Sequence, residues 1–549
     1  MLRNLSKIFA ASLLSVNLLG VVANVQAQEP IVINMGRQTS TNPKLPDGDT
    51  YEDNAYTRLV NERLNVQIQS AFEANGEDYE RQVSLAIASG ELPDMMIVGD
   101  RDVVQELYEN ELIADLTDIY EEYASDYIKE IYSSYDDSIL NAISFDDRMY
   151  ALSGTSVDLG PSMFWLRQDW LDELGLDIDP DGDRVISLSQ LVEVARAFME
   201  ADLGETGRPV GIPFNYWLTS STAGGSTFAA TGIANSFGAY PKEFLLDDNN
   251  QLYYGSNTPE MKQTLEFLRD LFNEGIIDPQ FGTRTNDDIT AMIINEETGI
   301  VAGPWHIPDW NLIQTRQSNS NAVFVPYAIE SQSEEGHVSS ISNKGPNQYV
   351  VVRSDYEHPE LAIQIINLIY DEIPNSMNIN EEFPTIAEYL NTGVDGTARP
   401  FNMEVLHAEY LLEEGRATAL GALDEIPVEE LPSIEAIQNV GLIKSYYEDP
   451  SNSEPVEWAK YASRVEAIDN LMNSLRDSNS LTEIFPPRFY DIKAMERNGA
   501  QLDKLQEETF IKFITGEESL DNFDSYVETW HNQGGTDVLA EMQADIDNN

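Results

Sequence analysis

The hydrophobic pattern after residue 30 alternates between two periods. Residues 31–35 (IVINM) form a short apolar run, and 65–69 (NVQIQ) alternate apolar with polar; both predict strands. Between them Tyr56 to Leu64 carries a helical spacing, and Asp78 to Ala88 carries another. Met95 to Val98 is a third apolar run, followed by a helical stretch from Asp102 to Asn110. Strand, helix, strand, helix, strand at this spacing predicts an α/β sheet with parallel strands. Residues 39–50, rich in Pro, Asp and Gly, read as a polar loop.

A second set of helices and short strands is expected from Asp158 to about Pro326. Within it Pro259 to Glu274 places Met261, Leu265, Leu268, Leu271 and Phe272 on one helical face. Residues 348–352 (QYVVV) predict a further buried strand, and 359–370 a helix opened by Pro359. The tail from Leu502 reads as mostly helical. No long Gly/Ser linker interrupts the chain, so short crossings should join its parts.

Composition narrows the classes. A chain of 549 residues is too long for one compact core. Its 95 acidic and 32 basic side chains give a formal charge of −63, which disfavours nucleic acid as a partner. Cysteine is absent, which excludes disulfides, thiolate metal sites and a lipidated N-terminal cysteine. Arg3 and Lys7, an apolar stretch from Ile8 to Val22, and Val25-Gln26-Ala27 read as a signal peptide cut after Ala27. Its removal would take the charge from −63 to −65. The expected location is periplasmic, without a lipid anchor, and the acidity suits a saline habitat.

Enzyme motifs are absent. There is no G-x-S-x-G, no G-x-G-x-x-G, no Gly-Lys pair and no H-E-x-x-H among five histidines. No local motif marks a glycosidase carboxylate pair. One metal motif stands out. Asp179, Asp181 and Asp183 occupy positions 1, 3 and 5 of an EF-hand-like loop over 179–190. Val185 would offer its carbonyl, Ser187 position 9 and Gln190 position 12. Arg184 replaces the turn glycine and Gln190 the bidentate glutamate. A structural Ca2+ is the expectation, with an acidic turn as the alternative.

Several segments together resemble the extracellular solute-binding proteins of ABC importers, family 1. The similarity is to their large branch of alginate-oligosaccharide-binding and LipO-like proteins. The segments are 86–96 (AIASGELPDMM), 112–118 (LIADLTD, with Glu111 in place of a glycine), 149–152 (MYAL, with Ser153 in place of a proline), 164–171 (FWLRQDWL), 273–279 (NEGIIDP), 303–305 (GPW), 347–359 and 510–535. The resemblance implies an α/β, two-lobed periplasmic-binding-protein fold with a ligand cleft between the lobes and a discontinuous chain. Lobe one would be 28–155 plus about 340–420. Lobe two would be 156–339 plus about 421–549, carrying the 179–190 loop away from the cleft. It also implies a non-enzymatic monomer that captures an oligosaccharide by closure and delivers it to ABC permease subunits.

Sugars stack their C–H faces on aromatic rings and share their hydroxyls with planar polar groups. Candidate platforms are therefore Trp165, Tyr216, Trp217, Trp305 and Trp310. Candidate polar partners are Arg37, Asn215, His306, Lys344, Asn347 and Gln348. Trp305 leads, because it lies in a Gly-Pro-Trp turn able to present a ring. Trp170 and Trp530 are expected in cores, and Arg167 is expected to pair with nearby acids. A secreted polysaccharide-active enzyme and a calcium-stabilised surface interaction protein are the alternatives.

Overall fold

The computed structural model describes residues 29–548 except 137, 158–159, 216–226, 343, 377 and 488–491. The signal-peptide reading therefore lies outside the described residues, as do Tyr216 and Trp217.

Two sheets organise the chain. The first has five strands in the order Val66–Ala74, Ile31–Gln38, Met95–Val98, Gly345–Val352, Leu152–Ser156. The first three run parallel, as the strand–helix alternation predicts. Gly345–Val352 runs antiparallel to both of its neighbours. Met95 to Val98 is apolar at every position because helices cover both faces of the sheet. The helix Ala55–Leu64 starts where the Asn54 side chain accepts hydrogen bonds from the amides of Tyr56 and Thr57. The Thr57 side chain caps the Asn54 amide in return.

The second sheet has four strands in the order Ile300–Gly303, Met163–Arg167, Phe324–Ile329, Val185–Ile186. Helices Leu188–Ala201 and Pro259–Asn273 pack on it, the latter burying Met261, Leu265, Leu268 and Leu271. The helix Lys493–Thr515 adds Phe510 and Phe513 to the same core. Trp170 meets Phe198 edge-on at 5.2 Å, and Trp530 stacks on Tyr254 at 4.6 Å. Both tryptophans are buried, as expected. No described helix is long and apolar enough to cross a membrane.

The chain passes between the two bodies three times among the described residues. Leu152 belongs to the first core and Met163 to the second; Val338 belongs to the second and Tyr349 to the first. The last passage falls between Ala408 in the first core and Leu411 in the second. The helix Tyr410–Ala422 therefore sits with the second body, and the boundary expected near 420 moves upstream. The reason is packing: Leu411 joins Trp458, Ile468 and Leu471 in one apolar cluster. Gly154 lies beside the passage, where a Cβ would come within 2.4 Å of the Asn347 carbonyl oxygen. Two backbones can approach this closely only because the residue has no side chain.

Burial also marks Glu243, whose carboxyl is pushed up to about 8 by desolvation. In the unfolded chain it titrates near its ordinary 4.5. Between those values the folded state holds more protons, so this group's contribution to stability falls as pH rises. Glu243→Gln is expected to be more stable than wild type above pH 8, by a few kcal/mol as an order of magnitude. The difference should shrink toward pH 4, as read from denaturant midpoints across that range.

Candidate functional site

In α/β sheets the crevice beyond the carboxyl ends of the parallel strands is where ligands bind. Here those ends are Gln38, Ala74 and Val98, and the neighbouring edge residues are Gly345 and Ser156. A short connection leads from Ser156 to Met163, whose strand partner is Gly303. The carboxyl edge of the first sheet is thus tied to the edge of the second that carries Gly303-Pro304-Trp305-His306.

On the second lobe the backbone gathers three of the sequence candidates. The Phe228 amide donates to the Ala302 carbonyl, and the Asn215 amide donates to the Phe228 carbonyl. Asn215 therefore lies beside the strand that leads into Trp305 and His306. It is fully buried; its Nδ2 donates to the Thr227 carbonyl at 2.8 Å, while its Oδ1 is unpartnered among the described residues. Trp305 is partly buried and meets His306 edge-on at 5.1 Å. Burial lowers the His306 pKa, with Asp309 working against the shift. Trp310, one turn further on, is 69% exposed.

Sequence reasoning missed what lies behind Trp305. The Arg464 guanidinium sits 4.9 Å from its ring centroid, a cation–π contact. Arg464 also donates to Asp309 at 2.5 Å and to Glu435 at 2.9 Å, and Lys460 reaches Asp309 at 3.2 Å. Glu414, near Arg464, is pushed up to about 7 by burial, with Arg464 opposing. Its Oε1, the Trp305 Nε1 and the Arg464 Nε are all buried without a partner among the described residues. Arg464 lies more than 150 residues beyond Trp305. It carries no local motif, so no sequence signal joined the two.

On the first lobe Asn347 is exposed and Gln348 half-buried, at a bulge where Gln348 takes φ 62°. Arg37 lies at the same sheet edge but is buried under the 395–404 segment. Its Nη2 donates to the carbonyls of Thr397 and Ala398, both at 3.4 Å. Burial pulls its pKa down to about 10, and its Nη1 finds no partner among the described residues.

Two candidates are placed elsewhere. Trp165 is fully buried, its strand paired on both sides with Val301 and Pro326 facing it, so its ring is core and offers no platform. Lys344 spends its ammonium on Glu409 at 2.7 Å and Glu483 at 3.3 Å. Arg167 behaves as expected and pairs with Asp169 and Glu296.

The 179–190 loop keeps an EF-hand course. Asp179 accepts hydrogen bonds from the amides of Gly182, Asp183 and Arg184. Arg184 adopts φ 64° at the glycine position and pairs with Glu466 at 2.7 Å. The last ligand position is the weak point. The Gln190 Oε1 accepts from the Ser187 amide and hydroxyl, and its Nε2 donates to the Ile178 carbonyl. It therefore caps the helix Leu188–Ala201 instead of turning to a metal. Among the described residues no three acidic or histidine side chains stand together to hold a metal ion. As arranged, a calcium in this loop would be held without the position-12 ligand, since Gln190 is spent on the cap.

Comparison with known proteins places this geometry. The chain is 22% identical to the lipoprotein LipO of Bacillus subtilis (strain 168) over 471 residues, 84% of this chain and 83% of that one. Its fold is similar to an HMO-binding, ABC-transporter-associated solute-binding protein from Bifidobacterium longum infantis ATCC 15697. That likeness has a TM-score of 0.60 at 14% identity and covers 95% and 99% of the two chains. It is also similar to an EF-hand mutant of the S. pneumoniae ABC-transporter substrate-binding protein FusA in complex with fructo-nystose. There the TM-score is 0.57 at 16% identity, over 94% and 99% of the chains. The bacterial extracellular solute-binding protein family matches residues 42–372. With its two α/β lobes and this match over more than half its length, the chain belongs to the bacterial extracellular solute-binding proteins.

Proposed function

We propose that this protein captures an oligosaccharide between its lobes by closure and delivers it to the permease subunits of an ABC importer. The observation that carries the reading is the second-lobe edge, where Trp305 and His306 follow Gly303 beside Asn215 and the exposed Trp310. Asn347 and Gln348 supply planar amides from the first lobe. Rings for C–H faces and amides for hydroxyls are what a neutral saccharide needs. The fructo-nystose bound by the FusA variant supports that ligand class. Closure would bring the two edges onto one ligand, and no bond in it need break.

A periplasmic monomer without a lipid anchor belongs to the same proposal; the absence of cysteine for thioether lipidation supports the last of these. LipO, a lipoprotein, differs in that respect. Recovery of the protein in osmotic-shock fluid, and not with membranes, tests it.

A thermal-shift screen against kestose, nystose and longer neutral oligosaccharides tests the ligand. A raised melting temperature with the saccharide recovered intact supports capture, whereas its turnover into fragments favours a polysaccharide-active enzyme. The same assay tests a weakly held structural calcium at 179–190, of the kind seen in extracellular modules with Kd near 10⁻⁴ to 10⁻³ M. Chelator-treated protein should gain a few degrees on adding millimolar calcium, as an order of magnitude. No gain, with no bound metal by native mass spectrometry, leaves the loop as a self-capped turn.

A further inference from the structure

The three passages between the lobes meet at one small cavity. Gly160 and Pro161 come from the first passage, Lys344 from the second, and Ala408 and Glu409 from the third. Met472, Arg476, Leu481 and Glu483 of the second lobe complete the wall. The apolar members leave little room: a Cβ on Gly160 would lie 2.3 Å from the Met472 methyl carbon.

The charges in this wall join segments that must move relative to one another if the lobes rotate. Lys344 immediately precedes the first-lobe strand Gly345–Val352. Glu409 stands between Ala408 of the first core and Leu411 of the second. Glu483 lies on Leu481–Ile484, which pairs in parallel with Val338–Ile341 of the second lobe. The Lys344 Nζ is 2.7 Å from Glu409 and 3.3 Å from Glu483, and Arg476 holds the other Glu409 oxygen at 2.5 Å. The Lys344 side chain is 17% exposed, and the two carboxylates are 22% and 31% exposed. A partly buried set like this is screened less by salt than a surface pair.

We propose that Lys344, with Glu409 and Glu483, is a positioning residue of the hinge, bridging the second and third passages and setting the resting angle between the lobes. The inference rests on the two-lobed closure reading and is independent of which saccharide binds. Removing the ammonium would cut the tie between the second and third passages and leave Glu483 near Glu409, which Arg476 alone would still hold. Like charges so close repel, and the passage would yield.

The test uses ligand-free protein, so its failure is separate from a failure to find the saccharide. The chain has no cysteine, so Ser84→Cys on the first lobe and Ser525→Cys on the second, both exposed, give a clean donor–acceptor dye pair. K344M is expected to shift and broaden the lobe-to-lobe distance distribution, K344R to restore it, and E483Q to produce a smaller shift. Lys444→Met, which breaks an ion pair with Asp424 remote from the hinge, should leave it unchanged. Wild-type distributions in both K344M and E483Q would overturn the proposal. If circular dichroism shows that K344M does not fold, E483Q carries the test alone, and an unmoved distribution in it overturns the proposal equally.

Discussion

Replacing Trp305 by alanine weakens binding of the captured oligosaccharide by roughly 2 kcal/mol or more, about 30-fold at 25 °C. Two losses add. In the proposed capture the ring stacks on the sugar's C–H face, and it is also what the Arg464 guanidinium packs against at 4.9 Å. Without the ring, Arg464 keeps Asp309 and Glu435 but loses the cover that holds water from its remaining N–H. Trp165→Phe is the contrast. That ring is wholly inside the core, so the change lowers the denaturant midpoint and leaves affinity untouched. Isothermal titration calorimetry with the saccharide from the screen reads both. Equal affinity in Trp305→Ala and wild type would remove Trp305 from the site.

Arg167→Met destabilises the fold by about 3 kcal/mol and leaves ligand affinity as it was. The guanidinium is almost wholly buried and spends three N–H groups on carboxylates. It reaches Asp169 at 2.7 and 2.6 Å and Glu296 at 2.9 Å. It also lies 4.5 Å from the Trp170 ring. Deleting it strands two carboxylates that are each about one-quarter exposed, which places the cost at the low end for a broken buried pair. Arg167→Lys is expected to recover little, because an ammonium cannot make the two-pronged contact to Asp169. Urea unfolding measures the loss, and full stability in the methionine variant would show that the network contributes nothing.

Much of the architecture was readable because period and burial coincide. Residues 31–35, 66–69 and 95–98 carry their strands, since their inward positions, among them Ile33, Val66, Ile68 and Met95, are buried in the first core. The helix Pro259–Asn273 was readable to within a residue because Thr258 and Pro259 mark its start. The direction of Gly345–Val352 was not readable. Its residues are as apolar as those of a parallel strand, and only its arrival from the other lobe turns it antiparallel.

The candidate site was legible in the sequence where a turn holds a ring, as at Gly303-Pro304-Trp305. It was obscure where pairing depends on distant chain. Lys344 reads as a polar partner for a sugar until Glu409 and Glu483 are folded against it. Trp165 reads as a platform until Val301 and Pro326 flank its strand. Arg464 carries no local signal, and only the fold sets it against Trp305.

The threefold passage of the chain has a consequence for how the protein comes into being. The fourth strand of the first sheet, Gly345–Val352, inserts between Met95–Val98 and Leu152–Ser156, which precede it by about 250 and about 190 residues. The second core awaits Phe510 and Phe513 near the end of the chain. An N-terminal fragment can complete neither, and contacts of such long range form slowly. For a chain exported unfolded, this connectivity would postpone completion of both cores until nearly the whole polypeptide has emerged on the far side.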